Sequence, residues 1–268
     1  MTIAKNTVKR IVRFGKKPAR RDPRNLKLST ILRALPRLPA EYDFDLKHGG
    51  IPTPMFGNDR HGDCVIAGRA HQTLRFEDEE QEKILPIADT DVLKEWHLEN
   101  GNSEDGIVVL DSLKLWRSRG WKAAGKTYRI RAFAEIDRKS HTEVKRTVCA
   151  DIGAGLGLSL PDSALNEFYA GKPWAGTAEP PNQENGHYVY VPGYTRTGPV
   201  CVTWGRKQQM SWNFFDKYCD EAYAVIDAPD TPKKRRLIDW NKVDEFLTRL
   251  GTSVRRKARE KRASPASG

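Results

Sequence analysis

The chain has 268 residues, of which 38% are hydrophobic and 30% charged, so it can form one large soluble domain or two small ones. No run of eighteen apolar residues occurs, which excludes a helical membrane span, and the first twenty-one residues, MTIAKNTVKRIVRFGKKPARR, lack the apolar stretch of a secretory signal. The net charge of +11 is uneven: residues 1–40 hold twelve bases and one acid, residues 229–268 hold twelve bases and five acids, and residues 41–228 are net acidic.

This division suggests a basic arm over 1–40, a folded domain over 41–228 and a basic helix and tail over 229–268. Residues 1–28 read as a mobile arm, too short and too irregular to suggest a propeptide. Ser29 to Leu35 suggests a short helix stopped before Pro36. Tyr42 to Met55 reads as loop, broken by Gly49, Gly50, Pro52 and Pro54. Gly57, Asn58, Asp59 and Gly62 form a turn. Asp63 is then a good N-cap for a helix that starts at Cys64 with a small-residue face. Helices follow over Thr90–Glu99, capped by Thr90, and over Ser103–Gly120. The pattern then changes: Thr127 to Ile136 alternates as a strand does. A short helix over Thr142–Ala150 starts at Thr142, and Gly155–Leu160 reads as a buried strand. His187–Val191 and Pro199–Trp204 are strands joined through Gly193 and Gly198. Trp212–Tyr218 is a short helix with an apolar, core-facing set, Ala222–Ile226 a last strand, and Leu237–Leu250 an amphipathic helix running into RRKAREKR. Helices first and strands second predict an α+β fold, with a nucleophile at a helix N-terminus packed on a mainly antiparallel sheet.

The four cysteines, Cys64, Cys149, Cys201 and Cys219, match no disulfide framework, so reduced thiols and a cytoplasmic setting are expected. Only a thiolate is a good nucleophile, and a helix N-terminus favours that anion through its free N–H groups and dipole. Cys64 is placed there. An imidazole would stabilise the thiolate and later protonate the leaving group. His187, which opens an apolar strand, is the best candidate. His61 and His71 are local competitors, and His48, His97 and His141 sit in polar stretches. His61, Cys64 and His71 fit no common zinc spacing. GAGLG at 153–157 lies between a helix and a strand rather than in a dinucleotide-binding context. No metal or cofactor is called for. The acidic run Glu77–Glu80 reads as a solvated helix end.

GNDRHGDCVIAG resembles the papain-like motif in which a Gln stands six residues before a nucleophilic Cys; here Asn58 stands six before Cys64. GHYVYVPGY at 186–194 resembles that family's His strand, and VTWG at 202–205 resembles its Asn-Ser-Trp-Gly. The strand, helix and buried strand of RIRAFAEID and HTEVKRTVCADIGAGLGLSLP lie between. The resemblance covers about residues 45–228 and is to a divergent bacterial or phage-type member of the papain-like cysteine peptidase superfamily. It implies a cysteine peptidase acting on a peptide or protein substrate, with Cys64 as nucleophile and His187 as general base and acid. It implies Asn58 and the Cys64 N–H as oxyanion donors, and Trp204 as a cover over the site. Two positions depart from the pattern. The His-orienting Asn of the family falls on Val202, which cannot hydrogen-bond, leaving Thr203, Asn182 or Asn185 as substitutes. Asp63 beside Cys64 would raise the thiol pKa. The competing reading is an inactive papain-fold module whose basic termini bind nucleic acid or another polyanion, as in a phage or bacterial particle.

Overall fold

The computed structural model describes residues 12–33, 37–227 and 231–263. The first half holds α1 (Leu28–Ile31), β1 (Tyr42–Asp43), α2 (Phe44–Lys47), α3 (Cys64–Gln81), α4 (Asp89–Asn100) and α5 (Val109–Ser118). The second half holds β2 (Trp121–Ala123), β3 (Lys126–Tyr128), β4 (Ala132–Glu135), α6 (His141–Cys149), β5 (Ala154–Ser159), α7 (Ser163–Tyr169), β6 (Gly186–Tyr194), β7 (Pro199–Thr203), β8 (Arg206–Gln209), α8 (Trp212–Tyr218), β9 (Cys219–Ile226), α9 (Pro232–Leu237) and α10 (Trp240–Ala263). The main sheet runs β4-β9-β5-β6-β7-β8, with β1 added to β6, and its pairings are antiparallel. The α+β arrangement expected from the sequence is present.

Alternation along the central strands feeds two cores, one on each face of the sheet. Leu156 and Leu158 of β5, Val189 and Val191 of β6, and Ala224 of β9 pack with Val144 and Val148 of α6 and Phe214 and Phe215 of α8. Tyr188, Tyr223 and Val225 face the other way, onto Ile66 and Leu74 of α3, Trp96 of α4 and Leu113 of α5. Helix α3 is buried along its length from Cys64 to Asp78, polar residues included. Its charges are matched: Arg75 makes a two-pronged bond to Asp45 at 2.8 and 2.7 Å, and Arg69 meets Glu95 at 3.0 Å and Glu99 at 2.7 Å. Such buried pairs fix one docking geometry, because losing either partner leaves an uncompensated charge.

The chain departs from its sequence reading where local alternation hides a turn. Thr127–Ile136 is not one strand. It breaks at 129–131: β3 pairs back on β2 around a turn at Ala124 and Gly125, with φ of 47° and 75°, and only β4 joins the main sheet. Ser140, not Thr142, caps α6 by accepting the Glu143 N–H at 3.2 Å. Thr90 lies inside α4, where the Asp91 carboxylate accepts the Ala88 N–H at 3.2 Å. The expected loop at 42–55 contains β1 and α2, the latter capped by Asp43. Elements α7 and β8 carried no pattern that marked them. The acidic run 77–80 is not simply solvated, since Glu79 meets the buried Lys234 at 3.0 Å. Of the supposed mobile arm, residues 12–28 are laid onto the domain: Val12, Leu26 and Leu28 are buried in its core. Residues 1–11 lie outside the described residues.

Tyr188 fastens α3 to the sheet. A Cβ on Gly68 of α3 would stand 2.6 Å from the Tyr188 ring, and one on Gly155 of β5 would overlap its hydroxyl. Two glycines thus make a slot that only this ring fills. We expect Gly68→Ala to destabilise the fold by about 1–3 kcal/mol through overpacking. Chemical denaturation should show a lower midpoint at unchanged slope.

Candidate active site

Cys64 is the first residue of α3 and is 1% exposed. Its sulfur accepts the Tyr188 N–H at 3.4 Å, so the Tyr188 slot brings the helix start against the strand that carries His187. Asp63 stands at the N-cap position but makes no side-chain capping bond, contrary to expectation, and both its carboxylate oxygens are buried without a hydrogen-bond partner.

His187 is also buried. Its Nε2 lies 2.6 Å from Thr203 Oγ1, and its Nδ1 has no partner. The sheet register explains why Thr203 fills this place and Val202 does not. Val202 is paired with Tyr190 and shares its face of the sheet, while the next residue falls on the face of His187. Asn182 and Asn185 are engaged elsewhere, both donating to Asp162 Oδ1. Trp204 stacks on the imidazole, with centroids 4.1 Å apart and planes 20° from parallel. Trp204 and Gly205 are the two central residues of the β7–β8 hairpin, with φ of 43° and 78°. Positive φ at both positions suits a two-residue hairpin, but it strains a tryptophan. The indole is held there by the imidazole and by its Nε1–H, which donates to the Arg13 carbonyl at 3.3 Å.

That carbonyl belongs to the N-terminal arm, which runs through the site. Asn58 Nδ2 reaches the same Arg13 oxygen at 3.4 Å, so two donors converge on one carbonyl. Asn58 also donates to the His61 carbonyl at 3.1 Å and accepts the Arg13 N–H on its own carbonyl at 3.0 Å. Phe14 meets the edges of His187 and Trp204. Gly15 and Lys16 donate to the Gly186 carbonyl at 3.1 and 2.9 Å, and Gly15 accepts from Ile107 at 2.8 Å. At Gly15 any Cβ would overlap the Gly62 backbone. Residues 12–17 therefore lie in an extended, peptide-like fashion between the start of α3 and the His strand.

Burial under this segment sets the electrostatics. The Cys64 thiol is pushed up to about 12, first by burial and then by Asp63, against the Tyr188 N–H and the Lys16 charge. His187 is pushed down to about 3 by burial and by Lys16. Burial raises Asp63 to about 8, so its carboxyl is largely neutral at neutral pH and the concern over its charge beside the thiol is reduced. In this state thiol and imidazole are both neutral, and no hydrogen bond joins them.

No family model matches the chain, and no curated protein matches its sequence. Solved structures do match in shape. Xylellain, a cysteine protease from Xylella fastidiosa, is 15% identical with a TM-score of 0.62, covering 85% of this chain and 100% of that one. The Carica candamarcensis cysteine protease CMS1MS2 is 13% identical at 0.55, covering 71% and 99%. The chain has a papain-like fold. Procathepsin B from Trypanosoma congolense, 13% identical at 0.56, covers 81% of this chain and 86% of its own. On this papain-like scaffold Cys64, His187, Asn58 and Trp204 gather at one place. His61 lies at its rim against Trp96 and His71 is packed against Phe56 in the core. Sequence reading missed the arm segment: its backbone bonds leave little side-chain pattern, and the close approach is marked by glycines scattered along the chain, Gly15 on the arm and Gly62, Gly106 and Gly186 on the domain.

Two tests follow from this covering. Gly15→Ala should force the arm out, and Cys64 alkylation at pH 7, read by intact mass, should rise at least about tenfold. Cys149, Cys201 and Cys219 should not change. The sign of the pH effect follows from the lowered His187 pKa: the unfolded chain takes a proton near 6.5 that the covered fold refuses until about 3. Stability is therefore complete above pH 6.5 and lost as pH falls toward 3. The wild-type slope should exceed that of His187→Asn by up to about 1.4 kcal/mol per pH unit in denaturation experiments.

Proposed function

We propose that this chain is a cysteine hydrolase that cleaves amide bonds in peptides or proteins, held latent by residues 12–17 lying across its own cleft. The observation that carries this reading is the convergence of Asn58 Nδ2 and Trp204 Nε1 on the Arg13 carbonyl beside Cys64 and His187. A peptide carbonyl already sits where donors for a developing oxyanion are needed.

Once the arm leaves, the site regains water and the two pKa values move toward each other. His187 Nε2–H donates to Thr203 Oγ1, which fixes the tautomer and leaves Nδ1 as the base. Nδ1 takes the Sγ proton, and the thiolate adds to the substrate carbonyl carbon. The oxyanion receives hydrogen bonds from the donors that now hold Arg13. When the C–N bond breaks, the imidazolium gives its proton to the departing amine. A thioester remains. Water, deprotonated by His187, then attacks it, and breakage of the C–S bond releases the acid and the free thiol.

The test uses the full chain carrying Gly15→Ala and a panel of fluorogenic peptides. Adding Cys64→Ser should lower cleavage on the order of 10³-fold or more. Thr203→Val should lower kcat about tenfold with little change in KM, as expected for one lost hydrogen bond to the imidazole. Thr203→Ser should restore it. Equal, slow alkylation of all four cysteines in the arm-released chain would end the reading.

A further inference from the structure

The far end of β6 carries a run of cations that meet aromatic rings more than carboxylates. Tyr194 lies seven residues beyond His187, roughly 23 Å along the strand. It stacks on Tyr42 of β1, with ring centroids 6.5 Å apart. The Lys47 ammonium of α2 stands 4.1 Å from the centre of the Tyr42 ring. That of Lys145 on α6 stands 5.6 Å from the Tyr194 ring centre and 5.2 Å from that of Trp212. Lys233 of α9 lies 5.5 Å from the Tyr42 ring. One turn further along α9, the Arg236 carbonyl accepts from Arg33 at 3.5 Å. Arg37, Lys47 and Lys233 line one open cleft of about 460 Å³. Residues 33–37, α2, α6 and α9 thus bring their cations to one surface.

We propose that this surface binds the phosphate backbone of a nucleic acid, independently of its sequence. Among the described residues, Arg33, Arg37, Lys47, Lys145 and Arg236 meet no carboxylate, while Lys233 pairs with Asp151. Of the acids lining the cleft, Asp43 is held by Lys207 at 2.9 Å, which leaves Glu41. Most of the positive charge is therefore unmatched. An aromatic ring holds an ammonium in place through its quadrupole without neutralising it. An incoming anion meets charges already positioned and has few ion pairs to break. Phosphates recur along a polymer, so one strand can engage cations spread from α9 to α6 and release its counterions as it does so. A protein partner needs an apolar core within a polar rim, whereas this surface presents cations from one end to the other. Tyr42 and Trp212, both half-buried among the cations, add ring surface for bases. No Asn or Gln stands among the cleft residues to read a base edge. The proposal stands apart from the hydrolase reading, since the surface lies at the other end of β6 from His187.

The experiment titrates the full chain into a fluorescein-labelled single strand or duplex of about 20 nucleotides per strand and follows anisotropy as NaCl is raised. Binding should weaken steeply with salt and be equal for two unrelated sequences. Lys47→Gln with Lys145→Gln should lower affinity at least about tenfold. The slope of log affinity against log salt should become shallower by about 1.4 for the strand and about 1.8 for the duplex, the share of two phosphate contacts. Lys122→Gln with Lys126→Gln, which removes the same charge from the β2–β3 hairpin, should change affinity less than about twofold. Undiminished binding by the Lys47 and Lys145 variant overturns the proposal, and so does an equal loss from both variants, which would mean attraction by net charge alone. Polyglutamate that competes as well as unlabelled strand at equal charge would assign the surface to an acidic protein and overturn it too.

Discussion

The docking of α3 on β6 is the constraint on which the site depends. Cys64 comes from the start of a helix and His187 from the start of a strand 123 residues later. Nothing local brings them together. The seam is set by Tyr188 in the slot between Gly68 and Gly155, and by the Tyr188 N–H on the Cys64 sulfur. The buried pairs of Arg69 and Arg75 hold the far side of the same helix. The ring excludes any slip along the seam, since each neighbouring register would drive it into backbone or a Cβ. The ion pairs exclude rotation, since turning the helix would strand a guanidinium in the core. Packing supplies the distance and electrostatics the orientation.

Charge explains why the arm lies where it does. The first forty residues are strongly basic and the 41–228 segment is net acidic, so the two attract within one chain. Several contacts follow that sign: Arg20 with Asp111, Lys17 with Asp105 and Lys27 with Glu135. These pairs are exposed and each is worth little. Lys16 differs, because its charge is buried against two carboxylates and cannot be left without a partner. The exposed pairs steer the arm toward the domain, and Lys16 fixes its register. Part of the basic charge that reads as a polyanion-binding tail is therefore already matched within the chain.

How much of this was legible follows from how each feature is encoded. The helix that starts at Cys64 and the strand that starts at His187 carry strong local signals, and their order identified the scaffold. Trp212–Tyr218 is found at the bounds the sequence suggested, since Ser211 caps it and its apolar residues recur at helical spacing. Thr203 was one of three substitutes for the missing Asn, and choosing among them required the register of β7 on β6, a non-local quantity. A shift of one residue reverses which side chain faces the imidazole. The split between β3 and β4 was hidden because alternation continues across the break at 129–131. The arm was hidden for a different reason: its hold on the cleft is largely backbone hydrogen bonds, which leave little pattern in the side chains.

The same segment also accounts for the neutral state of the Cys64–His187 pair. A thiol near 12 and an imidazole near 3 cannot exchange a proton at neutral pH. Burial is the first cause of both shifts, and residues 12–17 supply much of the cover: Phe14 against the imidazole and Gly15 against Gly62. Lys16 adds a second effect, since its charge opposes the imidazolium while favouring the thiolate. On the hydrolase reading proposed above, occupying the cleft blocks a substrate sterically and holds the pair in its unreactive protonation state at once. On that reading both effects end together when the arm leaves, so one displacement would be enough to switch the site.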